Sequence, residues 1–235
     1  MGRILSRDRI GDHPFFEERP IKRELAIVMT GDRGLCGGFN SNIHKELQKF
    51  MASSQDKEIL LYPIGKVGNA FIKRRGWNIF DSWIQIGYAF TPDNLNEKVN
   101  QIVQGFLKGE FDRVSIISMK LHRSGIQECT RQQFLNMSYL FDNKKKDEQD
   151  LDYIFEPEPV SVLKTLINLF IKQRFYTLLL QSVTAEYFAR MVAMKQATDN
   201  GKEVIQNLTL ERNKVRQAMI TREISEIIGG ANALN

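Results

Sequence analysis

Four glycines crowd the stretch TGDRGLCGGFNSN: Gly31, Gly34, Gly37 and Gly38. They follow a short apolar run and precede a helical pattern. Backbone amides bared by glycines ahead of a helix can cradle a phosphate. The spacing is not GxGxxG, however, and no Gly-Lys-Ser/Thr follows to hold a triphosphate with Mg²⁺. The preferred reading is structural: the glycines permit a tight turn and close helix–sheet packing. Asp32 and Arg33 then pair with each other or with neighbouring turns. Other chemistry is thinner still. Cys36 and Cys129 lie far apart and form no CxxC, which supports neither a disulfide framework nor a cysteine zinc site. His13, His44 and His122 fall in separate contexts with no ligand spacing. GxSxG, HExxH, HxH and paired-carboxylate patterns are all absent. No catalytic residue, metal site or cofactor is assigned.

Composition narrows the class further. Charged residues make up 26% and apolar residues 42% of the 235 positions, as in an ordinary globular protein. A net charge of +5, scattered among 28 acidic residues, signals no nucleic-acid surface. Lys144, Lys145 and Lys146 run straight into Asp147, Glu148 and Asp150, a solvated loop. The start lacks the apolar segment of a signal peptide. The most apolar region, Leu163 to Leu180, is broken by Lys164, Lys172 and Arg174, so no membrane-spanning segment is expected.

The elements that position these residues follow in order. Residues 1–24 are polar and irregular. Glu24 to Thr30 (ELAIVMT) has the length of a buried strand and leads through the glycines into a helix with Ile43, Leu47, Phe50 and Met51 as its apolar positions. Asn40 or Ser41 is expected as its N-cap. Glu58 to Ile64 reads as a second strand and Gly65 to Arg75 as a short helix. Trp77 to Gly87 fits an edge strand or loop. Pro92, with Thr91 before it as cap, opens a helix over Asp93 to Lys108. Arg113 to Met119 is a third buried strand, and Gln133 to Leu140 and Leu151 to Glu156 read as further strands around the loop Asn143 to Asp150. Strands alternating with helices predict an α/β domain over residues 25–156 with a mostly parallel sheet covered on both faces. Glu156-Pro157-Glu158-Pro159 ends it.

The last stretch, residues 157–235, reads as a long helix. From Val160 onward it holds no proline, and its only glycines are Gly201, Gly229 and Gly230. Unbroken, roughly 70 residues at about 1.5 Å each make a rod on the order of 100 Å. Glu186 and Arg190 stand four apart, a supporting pair. Val204, Leu208, Val215, Met219, Ile220, Ile224, Ile227 and Ile228 form an apolar series among Glu211, Arg212, Lys214, Arg216, Arg222, Glu223 and Glu226. Such a stripe predicts a coiled-coil strand or a shaft buried in a partner. Asp199-Asn200-Gly201 leaves two antiparallel helices open on composition alone.

TGDRGLCGGFNSN after a buried strand, IFEPEP before the long helix, ARMVAMKQATDN and RQAMITREISEIIGGANAL closely resemble the gamma subunit of the F-type ATP synthase. The resemblance runs from about His13 to Leu234. It implies a Rossmann-like sheet domain beside the membrane rotor ring and a coiled-coil shaft inside the ring of alternating alpha and beta subunits. It implies a non-catalytic rotor that couples proton flow to ATP synthesis, with the alpha, beta and epsilon subunits and the membrane c-ring as partners. It places the chain peripherally, on the cytoplasmic side of a bacterial plasma membrane. The contacts to the alpha/beta hexamer carry over onto Arg216, Gln217, Thr221, Glu223 and Glu226, and the rod continues through Gly201. Two departures stand out. Family members carry a long helix before the segment matching HPFFEERPIKR, with no counterpart in this sequence, and Arg222 stands where the family commonly has glutamine. The alternatives are a Rossmann-like nucleotide- or anion-binding domain with a helical oligomerisation arm, and a non-functional truncated remnant.

Overall fold

The computed structural model describes residues 14–17, 19–84, 91–138 and 159–233. Strands β1 (Arg23–Met29), β2 (Glu58–Ile64), β3 (Arg113–Leu121) and β4 (Gln127–Leu135) form one sheet in the order β2-β1-β3-β4. β1 runs parallel to both β2 and β3, and β4 returns antiparallel to β3. β1 is central and is buried at every position after Arg23, which is why its sequence is a continuous apolar run rather than an alternation. Ile79 and Trp83 add isolated parallel bridges to β2.

The expected strand Gln133 to Leu140 is corrected to β4, which starts six residues earlier. Its sequence QECTRQQFL is polar, and only its last two residues are buried, so a search for apolar runs finds its end and misses its body. The turn that reverses the chain holds Gly125 at φ 80°, with its amide bonded to the His122 carbonyl at 2.9 Å. The expected strand Leu151 to Glu156, the loop Asn143 to Asp150 and the region before Pro14 lie outside the described residues, as do residues 85–87 and 139–140.

Alternation in β1 divides the core. Leu25, Ile27 and Met29 face one side, where Tyr62, Ile116 and Phe134 join them, while Ala26 and Val28 face the other. Helix α1 (Phe39–Ser53) covers the second face with Phe39, Ile43, Leu47 and Phe50. Its N-cap is Gly38, not Asn40 or Ser41. The Asn40 side chain is committed elsewhere, because its Oδ1 accepts a bond from the Gly31 amide at 3.0 Å. Helix α2 (Lys66–Arg74) is short, and α3 (Pro92–Leu107) begins as expected, with Pro92 in the first turn and the Thr91 hydroxyl accepting from the Asn94 amide.

Helix α4 runs unbroken from Pro159 to Ala233, and Asp199-Asn200-Gly201 lies within it. The chain divides into two compact units, residues 1–190 and 191–235. In the first, Ile167, Ile171, Phe175, Leu178 and Leu179 join α3 on the Leu25 face, and Ala185 joins the opposite cluster. The Arg174 guanidinium donates to the Gln133 carbonyl at 2.8 Å, and the Gln127 amide donates to the Ala185 carbonyl at 3.0 Å. α4 thus lies beside β4, the last of the described strands in the sheet.

The second unit, as far as it is described, is helix alone. Its described residues, roughly 65 Å of helix at about 1.5 Å per residue, have no core. Val204, Ile205, Leu208, Leu210, Val215, Met219, Ile220, Ile224, Ile227 and Ile228 are between 45% and 72% exposed.

Stability of the free chain therefore rests on the first unit. Phe175→Ala removes a fully buried ring that packs edge-on to Phe134 and is expected to cost about 3–5 kcal/mol in urea denaturation. Leu208→Ser, at an exposed position, is expected to cost about 0.5 kcal/mol or less. Equal losses would contradict this division.

Candidate functional site: the glycine turn and the exposed helix

The turn after β1 is built around Thr30 and Gly31. The Thr30 hydroxyl donates to the Ile64 carbonyl and accepts from the Gly68 amide, both at 2.9 Å. The Gly31 carbonyl accepts from the Val67 amide at 3.2 Å, and Asp32 Oδ1 accepts from the Lys66 amide at 3.0 Å. Three amides at the start of α2 are therefore already bonded to the chain itself. This crossing of the two turns needs glycine on the far side. Gly65 sits at φ 96°, and a Cβ there would lie 2.2 Å from the Thr30 carbonyl oxygen. A Cβ on Gly68 would lie 2.6 Å from the Thr30 hydroxyl.

The four glycines of the cluster differ. Gly37 takes φ 56°, and its neighbour Leu35, a non-glycine at φ 61°, takes the same left-handed region. A Cβ on Gly31 would lie 2.6 Å from Glu186 Oε1 on α4. Gly34 has open space around it, and Gly38 has only ordinary contact with Asn42. The Glu186 carboxylate fills the notch over Gly31 and pairs with Arg190 at 2.6 Å, with both side chains mostly shielded (16% and 20% exposed). Arg190 also donates to the Gly34 carbonyl at 3.5 Å and lies over the Tyr187 ring. Two carboxylates, Asp32 and Glu186, thus stand where a phosphate would have to bind. The turn embraces its own helix.

Elsewhere among the described residues, His122 and Glu128 form an exposed pair at 2.8 Å, and several titratable groups are shifted by their surroundings. Burial pushes the Cys129 thiol up to about 12, aided by Glu46, so it stays protonated at neutral pH. Burial lowers His44, whose ring stacks on Phe71 at 4.0 Å. Tyr62 is raised by burial and then by Asp81 and Glu97. For Asp81, burial pulls upward, but bonds from the Ser82 amide, Gln101 and Lys98 outweigh it and hold the carboxyl low. Among the described residues no group of three or more His, Cys, Asp or Glu is placed to hold a metal.

Arg216, Gln217, Thr221, Glu223 and Glu226 all lie exposed on α4 in the second unit. Arg216 and Glu223 stand seven apart and share a face, as do Gln217 and Thr221 at four. The Thr221 hydroxyl bonds back to the Gln217 carbonyl at 2.9 Å. Arg222 donates to Glu226 at 2.8 Å with both side chains well exposed. A pair of that kind holds by a fraction of a kcal/mol, about 0.3–0.5, and is readily exchanged for another partner.

The ATP synthase family model matches residues 1–234. The chain belongs to the ATP synthase gamma-subunit family. A gamma subunit is a central-stalk rotor subunit, and solved central stalks share the fold. A chain of the Tetrahymena thermophila mitochondrial ATP synthase central stalk and c-ring is 22% identical, with 77% of this chain and 79% of that one covered and a TM-score of 0.61. A chain of the Euglena gracilis mitochondrial enzyme in rotational state 3 is 19% identical, covering 91% and 73%, with a TM-score of 0.63. A chain from the Euglena rotor in rotational state 1 is 16% identical, covering 93% and 87%, at 0.62.

Sequence reasoning singled out Gly31 and the Glu186–Arg190 pair separately, with no signal that they meet. Gly65 and Gly68 it passed over, since their need lies in a close approach across 34 or more residues. Gly65→Ala in the gamma subunit is expected to cost about 2 kcal/mol or more, from a positive φ and a backbone clash together. That lowers Tm by about 2–4 °C per kcal/mol for a chain of this size. An unchanged Tm would mean that the two turns do not cross as described.

Proposed function

We propose that this gamma subunit is a non-catalytic rotor shaft whose exposed helix works inside a sleeve formed by partner subunits. The observation that carries the reading is the second unit: a helix with thirteen large apolar side chains exposed among its described residues and no core of its own there. Exposed apolar surface on this scale marks an interaction site. The alpha/beta hexamer and a second helix of a coiled coil cover it in this reading. Arg216, Gln217, Thr221, Glu223 and Glu226 make the polar contacts to the hexamer, and an asymmetric set of such contacts biases the catalytic sites of the beta subunits in turn. The sheet domain is the part that meets the epsilon subunit and the c-ring, so that proton flow turns the shaft.

The chemistry belongs to the partners, in keeping with a turn whose amides and carboxylates are engaged with the chain itself. No described helix is long and apolar enough to cross a membrane, and the proposed seat is peripheral, in the F1 portion of the complex. The further expectation of a bacterial plasma membrane rests on the sequence resemblance alone, and the solved relatives are mitochondrial.

Co-expression of the chain with alpha and beta subunits tests this reading. The expected result is one complex that hydrolyses ATP, with Met219→Asp or Ile224→Asp preventing its assembly. Arg216→Ala with Glu223→Ala should leave assembly intact and lower hydrolysis roughly tenfold, the scale of about 1.4 kcal/mol in the barrier. Recovery of the chain free of both subunits, or a fully coupled complex without it, would overturn the proposal.

A further inference from the structure

Polar links fasten α4 to the rest of the first compact unit, three of them through Arg174, Gln127 and Arg190. Arg174 holds the Gln133 carbonyl, Gln127 holds the Ala185 carbonyl, and Arg190, paired within the helix to Glu186, reaches the Gly34 carbonyl of the glycine turn at 3.5 Å. The apolar contacts between them resist separation, but the hydrophobic effect has no direction and lets a helix turn or creep. Hydrogen bonds do have direction, and they weaken steeply when misaligned. Of the three links, the last is also keyed by shape. The Glu186 carboxylate occupies volume that exists only because residue 31 lacks a Cβ. Turning α4 by one residue swings its side chains by about 100° and takes that carboxylate out of the notch entirely.

We propose that the Gly31 notch and the Glu186–Arg190 pair are a torque key: positioning residues that stop α4 from rotating or sliding on the sheet under load. The idea rests on the rotor reading and deepens it. Gly31 is buried, the ion pair is shielded, and Arg190 is the last residue of the first compact unit. The key therefore sits where the sheet's hold on the helix ends. Arg190 is fixed from three sides, by Glu186, by the Gly34 carbonyl and by the Tyr187 ring. A helix that only needed stability has the apolar seat of Ile167, Ile171 and Phe175.

The test separates holding from folding. In Gly31→Ala the new methyl meets the tip of a flexible side chain, so the chain folds at little cost while the carboxylate is expelled. Gly38→Ala, in the same turn at φ −81° and with only ordinary contact to Asn42, is the matched control. Complexes carrying each variant, and Glu186→Ala, are assayed for ATP hydrolysis and ATP-driven proton pumping, with Tm measured alongside. Gly38→Ala should match the unaltered chain. Gly31→Ala and Glu186→Ala should assemble and hydrolyse ATP while protons pumped per ATP fall roughly threefold, with Tm lowered by no more than about 2 °C. Unchanged pumping per ATP in Gly31→Ala, or a loss that only follows Tm, would overturn the key. Failure of the unaltered chain to form a pumping complex would instead reject the rotor reading on which it stands.

Discussion

One helix has to satisfy two solvents. The backbone of α4 is hydrogen-bonded without a break from Pro159 to Ala233, yet its side chains change environment near Arg190. Before it, Ile167, Ile171 and Phe175 are buried to 1% or less. After it, none of the residues whose burial is described is buried, and among them Ala193 and Asn213 alone are even partly covered. A helix stays helical in both settings because its backbone bonds are internal. Its side chains tell the two apart. The rest of the fold follows from seating the first part firmly and leaving the second for something else to cover.

The sheet is arranged for that seating. With β1 in the middle and buried on both faces, helices can pack on either side of it. α1 takes one face, and α3 with the early part of α4 takes the other. Among the described strands β4 stands last in the sheet, and α4 runs beside it, with the Arg174 side chain on the Gln133 carbonyl and the Gln127 side chain on the Ala185 carbonyl. The crossed turns at Thr30 and Gly65 draw the ends of β1 and β2 together, which fixes the glycine turn where Glu186 can reach it.

Much of this was legible from the residues, for physical reasons. The buried strands read clearly because a strand covered on both faces must be apolar throughout. The cap of α3 read clearly because Thr91 and Pro92 act locally. The unbroken helix was favoured by composition, and family resemblance carried it through Gly201. What failed was set by tertiary contact. β4 was misplaced because its body is polar and only its last two residues are buried. Asn40 looked like a cap, yet the Gly31 amide nine residues earlier had the stronger claim on it. The site was half legible: Glu186 and Arg190 were visible as a helical pair, whereas their seat over Gly31 depends on a fold that brings residues 155 positions apart into contact. Leu35 in the left-handed region has no signature at all, since leucine rarely goes there.

The central claim is that this chain turns while the alpha and beta subunits proposed to surround it stay still, and rotation can be watched directly. Lys108 is exposed at the end of α3. Cys36 is buried, and the Cys129 thiol is pushed up to about 12, so a label on Lys108→Cys is selective at neutral pH. With the complex held to a surface through its alpha or beta subunits, a probe on that cysteine should rotate in one direction when ATP is added and stop when ATP is withdrawn. A probe that stays fixed while the same complexes hydrolyse ATP would contradict the account.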